Sequence, residues 1–515
     1  MTYRSERPFP DWLERNGSPA ALALLGVYLA RALWEAASKP LWFDEFFTFH
    51  YSRVGGPVEL WKALMGAGEA LPPLGFLVTT VAHLAFGEGE VATRLPSILA
   101  FGAFGYGLYR LLLPRIGVAG ALAAMVFSWI TSGFDYAIEA RPYALMICFG
   151  GLALVAWRAA ADGKQTKWGP AGMAVALVLA LSVHYYSVFL FLPVAAGEIA
   201  RWRKTRKLDL AVWGGLALAA ATLLFYLPLI ASARERYSEG FWSPVLPFAD
   251  ILGTYIVVLY PAVWALTAVV CLLIGGAIYR AVKKQGGAEQ KPEPLLPAHE
   301  RVALLTAAAI PVFAVGAASL TTGVYVYRYG LGALIGICAG FGVALWHATR
   351  GRDSWRWAVV ALLAGWFAFG GPRPGIEGQG RTAMGGADPY GYEKFRDPVL
   401  RQDVPIVVSS PVLFPEHYHY APDWAKERLI YVADPAAAVR YRQTNTPDLN
   451  LIGVAPWSPL KVVPYDEFIS RQPYFLIHER PFDRFAWLLA RLREEKRGVT
   501  RLSAAGPLEV WECCR

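Results

Sequence analysis

The chain has 515 residues, 55% of them hydrophobic, and a mean hydropathy of +0.35. A composition this apolar excludes an ordinary soluble globule, because repeated apolar runs of about 20 residues are what a hydrocarbon core about 30 Å thick requires. The formal net charge of +9 does not indicate a nucleic-acid partner, since the basic residues lie in short loops between apolar runs. Five cysteines, three of them in apolar segments and two adjacent near the end, do not make a disulfide framework.

Eleven apolar segments are predicted to span the membrane, so the expected fold class is a polytopic α-helical membrane protein. No small-residue cleavage site follows the first apolar run, which predicts an uncleaved first span with the N-terminus in the cytoplasm. The predicted spans are residues 18–37, 94–112, 117–133, 141–158, 168–184, 186–200, 208–230, 261–280, 302–321, 328–347 and 355–371.

One further apolar piece, residues 71–86, decides the orientation of every later segment. Its 16 or so residues reach only about 24 Å as a helix, short of the hydrocarbon core. If this piece lies along the outer surface, the basic loops, including residues 201–207, all face the cytoplasm, as the positive-inside rule requires. The same register predicts that residues 38–93, 134–140, 231–260 and 321–327, and everything beyond about 372, lie outside the cytoplasm.

The C-terminal part is predicted to be a separate domain. Residues 1–371 form the membrane domain with a first outer loop at 38–93, residues 372–392 a Gly-rich linker, and residues 393–515 a small extracytoplasmic α/β domain. Short β-like runs and helical patterns alternate there. The predicted strands are 404–409, 429–432, 474–478 and 508–512, and the predicted helices lie near 434–443 and 482–495.

An acidic pair, Asp44 and Glu45, follows the first predicted span and is flanked by aromatic residues. Carboxylates at a bilayer surface lose hydration worth kilocalories, so their presence there indicates a function. One carboxylate has the chemistry to take a proton from an attacking hydroxyl or amine, while the other orients it or binds a divalent ion. The alternative is that Asp44 merely caps the helix that follows.

A predicted outer turn at residues 134–143 carries a second charged group. Pro142 suits the first turn of the next span, where no N–H donor is missed. Glu139 is suited to a sugar hydroxyl or a metal ion, and the planar fork of Arg141 is suited to a phosphate. The alternative is a local ion pair between the two, of little energetic value.

Five short motifs occur in the order seen in bacterial glycosyltransferase family 39-like proteins. The chain therefore resembles the GT-C superfamily, in the branch of protein O-mannosyltransferases and lipid A aminoarabinose transferases, over roughly residues 18–370. No lysine precedes the Pro72–Pro73 pair, where some relatives have one. The motifs are residues 41–45 (LWFDE), 71–74 (LPPL), 94–97 (RLPS), 139–145 (EARPYAL) and 184–186 (HYY).

The resemblance implies a GT-C fold with about 11 transmembrane helices and surface-lying helices in the first outer loop. It implies transfer of a monosaccharide from a polyprenyl-phosphate donor to a lipid, glycan or protein acceptor, usually with inversion, on the outer face of the bacterial cytoplasmic membrane. Asp44 would act as base, with Glu45 orienting the acceptor or binding metal and Glu139 joining from the second outer loop. A divalent metal ion at Glu45 and Glu139 is the one cofactor expected, and Tyr143 is assigned to substrate binding.

His184 and Tyr185 lie at one predicted outer span junction, and Arg328 lies at another among tyrosines. A cation at the mouth of a span has the charge to hold the carrier's phosphate as the glycosidic bond breaks, and His184 and Tyr185 are assigned to the same donor site. The alternatives are membership of an interfacial aromatic belt for the tyrosines and a structural role for the histidine.

A pair of histidines in the C-terminal part has the spacing of residues on a strand. His417 and His419 alternate as two residues on one face of a strand would, but two ligands are too few for a metal site.

A transporter or flippase of a lipid-linked saccharide is the main alternative function, yet it predicts charges near mid-membrane, and the predicted spans are nearly free of them. A third alternative makes the C-terminal part the functional one and the spans a scaffold.

Overall fold

A computed structural model describes residues 17–66, 69, 71–163, 168–236, 243–282, 295–349, 352–370, 391–397, 400, 403–503 and 509–514. Residues 372–390 of the predicted Gly-rich linker lie outside these residues.

Up to residue 370 the described chain is almost entirely helical. The helices are α1 (Gly17–Ser38), α2 (Phe43–Tyr51), α3 (Pro57–Gly66), α4 (Leu74–Phe86), α5 (Glu90–Trp129), α6 (Gly133–Ala137), α7 (Tyr143–Ala161), α8 (Trp168–Val183), α9 (Phe191–Thr205), α10 (Leu210–Arg236), α11 (Pro247–Leu259), α12 (Val263–Val282), α13 (Ala298–Ala308), α14 (Ile310–Leu320), α15 (Ala333–Ala348) and α16 (Asp353–Phe369), with short 3-10 helices at Tyr185–Leu190 and Tyr327–Gly330.

Beyond residue 390 the described chain alternates strands with short helices. They are a 3-10 turn (Tyr392–Arg396), β1 (Ile406–Val408), α17 (Phe414–Tyr420), α18 (Asp423–Lys426), β2 (Leu429–Ala433), α19 (Pro435–Arg442), α20 (Thr446–Val454), a second 3-10 turn (Ala455–Trp457), β3 (Val462–Pro464), α21 (Tyr465–Arg471), β4 (Phe475–Glu479), α22 (Leu488–Glu494), β5 (Gly498–Ser503) and β6 (Glu509–Cys514).

Within the described residues, four helices are long and apolar enough to cross a bilayer: α1, α5, α7 and α10. The number rises to six if the bent pairs α11–α12 and α13–α14 each count as one span. Helix α4 has 13 residues, about 20 Å at 1.5 Å per residue, which is too short to cross the core alone. The protein thus contains several apolar helices, and the number of about eleven spans stays a prediction.

Contacts divide the chain into two compact units. The first comprises Met1–Ser38, Val91–Phe225 and Val245–Ile376, and the second Lys39–Glu90, Tyr226–Pro244 and Glu377–Arg515. The second unit therefore combines the segment carrying the acidic pair with the C-terminal sheet. The predicted limits of 1–371 and 393–515 remain predictions about independent domains.

The first unit is a bundle of apolar helices. Helix α5 contains the predicted span 94–112 and most of the predicted span 117–133, and its helical backbone is interrupted at Gly117, where φ is 72°. Helices α13 and α15 approach closely, since a Cβ built on Gly336 would lie 2.3 Å from the Ala308 nitrogen and the Leu304 oxygen. Only glycine permits this contact, because any side chain at this position would overlap backbone atoms.

Residues from several predicted cytoplasmic loops meet in one charged cluster of the first unit. Arg115 donates to Glu300 at 2.6 Å and to Asp162 at 2.7 Å, and Arg158 donates to the Leu111 carbonyl at 2.9 Å. These residues adjoin three separate predicted loops, so the structure groups loops that the charge argument assigned to one side of the membrane.

The second unit contains a six-stranded sheet with the order β3-β2-β1-β4-β6-β5. Strands β1 to β4 pair in parallel, while β6 runs antiparallel to β4 and β5 antiparallel to β6. A core of Val407, Val432, Ile477, Trp487 and Leu492 packs between the sheet and its helices. The predicted strands near 406, 429, 475 and 509 are therefore present.

Residues 417–419 do not form the expected strand, and two strands of the sheet were not predicted. His417 and His419 belong to α17, a helix, so they do not share a strand face. Pro415 in the first turn of α17 is favourable there because its missing N–H would be unpaired anyway. Strands β3 and β5 were not predicted; β3 has only three residues and ends in Pro464.

Candidate active site

The acidic pair lies in the first turn of α2, in the second unit. The backbone N–H of Trp42 donates to Glu45 Oε2 at 3.3 Å, so Glu45 caps the start of the helix from the third helical position. Glu45 is completely buried, whereas Asp44 is half-buried. The alternative interpretation, in which Asp44 caps this helix, is therefore wrong, because the carboxylate that accepts the N-cap N–H is Glu45.

Two residues of the C-terminal part contact the beginning of α2 within the same unit. The Tyr420 hydroxyl accepts the Leu41 N–H at 2.8 Å and donates to Glu90 Oε1 at 3.1 Å. The His419 ring lies 5.3 Å from Phe46, centroid to centroid. Neither residue was predicted to take part in the site, and nothing in its local sequence spacing could have indicated a partner nearly 380 positions away.

Polar contacts also fix the far end of α2. Burial, reinforced by Arg53 and His419, lowers the pKa of His50 to about 3, so this imidazole is neutral. The Ser52 hydroxyl lies 3.2 Å from His83 Nδ1, and Arg53 pairs with Glu88 at 2.8 Å. Both ends of the helix that carries the acidic pair are thus held by specific bonds.

The first unit gathers a second group of predicted site residues. Glu139 and Arg141 lie in a tight turn in which the Arg141 N–H donates to the Glu139 carbonyl at 2.8 Å. Both side chains are buried, at 7% and 6% exposure. The Ser97 hydroxyl donates to the Arg141 carbonyl at 3.0 Å, which explains the serine of the RLPS motif, a residue not assigned to the site from sequence.

Arg94 of the same motif has a structural role that the sequence did not reveal. It is fully buried and donates to the Ala36 carbonyl near the end of α1 at 2.7 Å. A buried arginine normally has such partners, because an isolated buried charge is costly. The RLPS motif therefore holds the end of α1 through Arg94 and the Glu139–Arg141 turn through Ser97.

Cations and aromatic rings surround His184. Its ring lies 5.3 Å from Tyr143 and 5.5 Å from Tyr329, and the Arg328 guanidinium lies 5.7 Å from the centre of Tyr143. The positive charges of Arg141 and Arg328 both act on this histidine. Glu139, Arg141, Tyr143, His184 and Arg328 thus form one group, here called the cation cluster, with Tyr185 following His184 in the chain.

The tautomer of His184 follows from one hydrogen bond. The Tyr186 N–H donates to His184 Nδ1 at 3.1 Å, so in the neutral ring the proton is on Nε2. Tyr186 also stacks on Tyr329 at 4.2 Å, and Tyr325 is buried at 1% exposure with its hydroxyl 3.1 Å from that of Thr254. Tyr325 therefore belongs to the protein core rather than to an interfacial belt.

Helix α7 gives the separation between the cation cluster and the Arg115 cluster. It begins at Tyr143, in the cation cluster, and ends at Ala161, next to Asp162. Its 19 residues extend about 28 Å, close to the thickness of the hydrocarbon core. The residues predicted outside and those predicted in the cytoplasm therefore lie at opposite ends of this helix.

The residues present do not form an evident metal site. Among the described residues, no group of three or more His, Cys, Asp or Glu side chains is arranged to hold a metal ion. Glu45, one of the two predicted ligands, already accepts the Trp42 N–H. We therefore derive no chemical step through a metal.

Part of the chain that carries the candidate site is similar to a known protein family. Residues 70–230 match the family model of dolichyl-phosphate-mannose-protein mannosyltransferases. No curated protein matches the chain.

Solved structures give more distant likenesses. ArnT from Cupriavidus metallidurans in the apo state is 13% identical, with a TM-score of 0.46, and the match covers 96% of this chain and 98% of that one. The same protein bound to undecaprenyl phosphate is 15% identical, with a TM-score of 0.45 over the same shares. The arabinosyltransferase EmbB from Mycobacterium smegmatis is 14% identical, with a TM-score of 0.38, over 67% of this chain and 32% of that one.

The family-model match includes α5, the Glu139–Arg141 turn and the His184 junction, which carry most of the cation cluster. The expectation drawn from the five motifs is thereby confirmed at the level of the superfamily. On this match, residues 70–230 of the chain are similar to the dolichyl-phosphate-mannose-protein mannosyltransferases.

Proposed function

We propose that this glycosyltransferase moves a monosaccharide from a polyprenyl-phosphate donor to an acceptor on the outer face of the bacterial cytoplasmic membrane, with inversion at the anomeric carbon. The name of the matching family supports a donor of this chemical kind, since dolichyl phosphate is a polyprenyl-type lipid phosphate. The proposal includes about eleven spans, a cytoplasmic N-terminus and an extracytoplasmic C-terminal part. A hydrophobic donor also explains a membrane catalyst, because a polyprenyl chain does not leave the bilayer for water.

The cation cluster is the observation that carries the proposal. Two guanidinium groups, Arg141 and Arg328, act on one neutral histidine beside the Tyr143 ring. As the bond between the anomeric carbon and the phosphate oxygen breaks, negative charge grows on the phosphate. Arg141 and Arg328 would stabilise that charge, and His184 Nε2–H would donate a further hydrogen bond.

Asp44 is the carboxylate proposed as the base. The acceptor hydroxyl attacks the anomeric carbon, its proton passes to Asp44, and the electron pair of the broken bond leaves with the phosphate. A single displacement of this kind inverts the anomeric carbon. Glu45 would act by holding the start of α2, because its carboxylate accepts the N-cap N–H.

Glu139, Tyr143 and Tyr185 are assigned to binding of the donor sugar. Glu139 is buried in the turn that carries Arg141, and a carboxylate there accepts hydrogen bonds from sugar hydroxyls. The acceptor is proposed to be a lipid, glycan or protein of the cell envelope.

The test compares cell-envelope glycans and glycoproteins by mass spectrometry with and without the gene. We expect one sugar to disappear from one acceptor class and to return with the wild-type gene but not with Arg328→Gln. Arg352→Gln is the matched control, because Arg352 is an exposed arginine at the start of α16, outside the cation cluster. If Arg328→Gln restores the sugar as well as Arg352→Gln does, the proposed role of the cation cluster is wrong.

A further inference from the structure

The parallel part of the sheet has a point at which its strand order reverses. From β1 the chain continues to β2 and then β3 on one side, and it returns to pair β4 with the other side of β1. In open sheets of this type, ligands bind in the crevice outside the carboxyl ends of the two strands at such a reversal. Here that crevice lies after Val408 of β1 and Glu479 of β4.

Polar side chains converge at this crevice. Ser409 and Ser410 follow β1 directly and are both buried. The Ser410 hydroxyl donates to the Asp483 carboxylate at 2.6 Å. The Ser409 hydroxyl lies within hydrogen-bonding reach of the His478 carbonyl, at 3.2 Å, and of the Glu479 carboxylate.

Glu479 has a buried oxygen that no described residue satisfies. The residue is 9% exposed, and its Oε2 has no hydrogen-bond partner in the part of the chain that the structure describes. Its position in the β4–β6 ladder is directly opposite Glu509, another carboxylate. A buried acceptor without a donor costs free energy, and most such groups in folded proteins have a partner. The geometry therefore calls for a donor from outside the chain.

An exposed aromatic residue lies at the rim of the same crevice. Phe482, next to Asp483, is fully exposed at 104%, and its φ of 62° is in the left-handed region. Residues other than glycine rarely adopt this conformation, and those that do are concentrated at ligand sites. A fully exposed phenylalanine is not packed against the described residues, so its ring is available to a ligand.

We propose that the crevice between the carboxyl ends of β1 and β4 binds a saccharide. Sugar hydroxyls would donate to Glu479 Oε2 and exchange hydrogen bonds with Ser409, while the apolar face of a sugar ring would lie on Phe482. Saccharides present both kinds of surface, hydroxyls around the ring edge and C–H groups on its faces.

Other ligand classes fit less well. A phosphate would meet Glu479, Asp483 and Glu509 at close range, and the segment after β1 (SSPVL, residues 409–413) has none of the glycines that let a backbone approach a phosphate. No metal-binding group of three ligands is found among the described residues. A neutral polyhydroxyl ligand avoids the repulsion from these carboxylates and can use the Ser409 hydroxyl and the Phe482 ring together.

The saccharide site goes beyond the transferase function and does not depend on it. Binding is therefore measured without any donor lipid, by saturation-transfer NMR on the full-length protein in lipid nanodiscs free of sugar-based detergent. The probes are methyl mannoside, methyl xyloside and methyl N-acetylglucosaminide, with ethanolamine as a cationic comparison. We expect millimolar binding of at least one glycoside, and signal transfer to its ring protons.

Three variants test whether that binding occurs in the crevice. Phe482→Ala and Glu479→Gln should each weaken binding at least fivefold, and Asp423→Asn should leave it unchanged because Asp423 is fully exposed in α18. Phe482→Ala removes no buried contact, so it tests the proposal even if Glu479→Gln fails to fold. Binding of ethanolamine alone, no binding of any glycoside, or unchanged glycoside binding in Phe482→Ala would each overturn the proposal.

Discussion

Tyr420 connects the C-terminal part of the second unit to the helix that carries Asp44. Its hydroxyl accepts the Leu41 N–H at 2.8 Å and donates to Glu90 at 3.1 Å. Replacing Tyr420 by Phe removes both bonds while keeping the ring. Leu41 is 1% exposed, so its N–H loses its partner where water does not reach, at a cost of about 1–3 kcal/mol.

A cost of that size has a measurable local effect. It corresponds to an increase of about 5- to 150-fold in the local opening of residues 41–51, since 1.36 kcal/mol is a factor of ten. If the position of Asp44 depends on this contact, kcat falls while KM for the donor changes little. We expect hydrogen exchange of the α2 amides to accelerate in parallel.

The matched control is Tyr418→Phe, which removes a hydroxyl from the same helix, α17. The Tyr418 ring contacts Phe414. Hydrogen exchange by mass spectrometry and turnover are measured on both variants in nanodiscs. Equal exchange and equal kcat in Tyr420→Phe and Tyr418→Phe would refute the reasoning, because the two hydroxyls would then matter equally little to α2.

Three further predictions concern stability. Glu45→Ala removes the acceptor for the N-cap N–H of α2 and should destabilise the protein by about 1 kcal/mol in thermal unfolding, whereas Asp44→Ala should not. Arg115→Ala leaves the buried Glu300 without its cation and should cost about 1–3 kcal/mol, with Arg115→Lys intermediate; equal melting temperatures for all three proteins would contradict the role of this cluster. Burial raises the pKa of Asp448 to about 7 from 3.8, so the folded state keeps a proton that the unfolded chain loses, and stability should fall as pH rises from about 4 to 7. Asp448→Asn should flatten the Tm–pH curve between about pH 4 and 7. An unchanged slope in this variant would be evidence against the raised pKa of Asp448.

The sequence located the acidic pair but not the division of roles within it. The usual capping signature places Ser or Thr three positions before Glu, and here that position is Trp42. The pattern therefore did not reveal that α2 begins at Phe43, with Glu45 as its cap. The two carboxylates could be recognised from the sequence, whereas the first residue of the helix could be recognised only from the fold.

The residues of the cation cluster were largely predictable, because charged residues near the predicted spans are expected in outer loops or at the ends of the spans. Glu139, Arg141, His184 and Arg328 were each assigned to predicted outer loops or span mouths, and the structure brings these elements together in the first unit. Ser97 was missed, since its hydrogen bond to the Arg141 carbonyl depends on how two helices pack.

The C-terminal sheet was predicted where its strands are buried and apolar, as at β1, β2 and β4. Strand β5 was missed because its exposed residues alternate weakly and include Thr500 and Arg501. Helix α17 was misread because its two histidines alternate as strand residues do, and its aromatic residues favour strands by propensity. Its contact with α2 through Tyr420 and His419 is a tertiary effect without a local signal.

The most direct test of the account is the rate of transfer in Asp44→Asn. The variant keeps the shape of the side chain but cannot accept the acceptor's proton, and loss of a general base typically costs 10²–10⁴-fold. Release of polyprenyl phosphate from a labelled donor, in nanodiscs with the acceptor that mass spectrometry identifies, gives the rate. The account predicts at least a 100-fold loss of kcat with an unchanged melting temperature, and transfer at the wild-type rate in Asp44→Asn would contradict it.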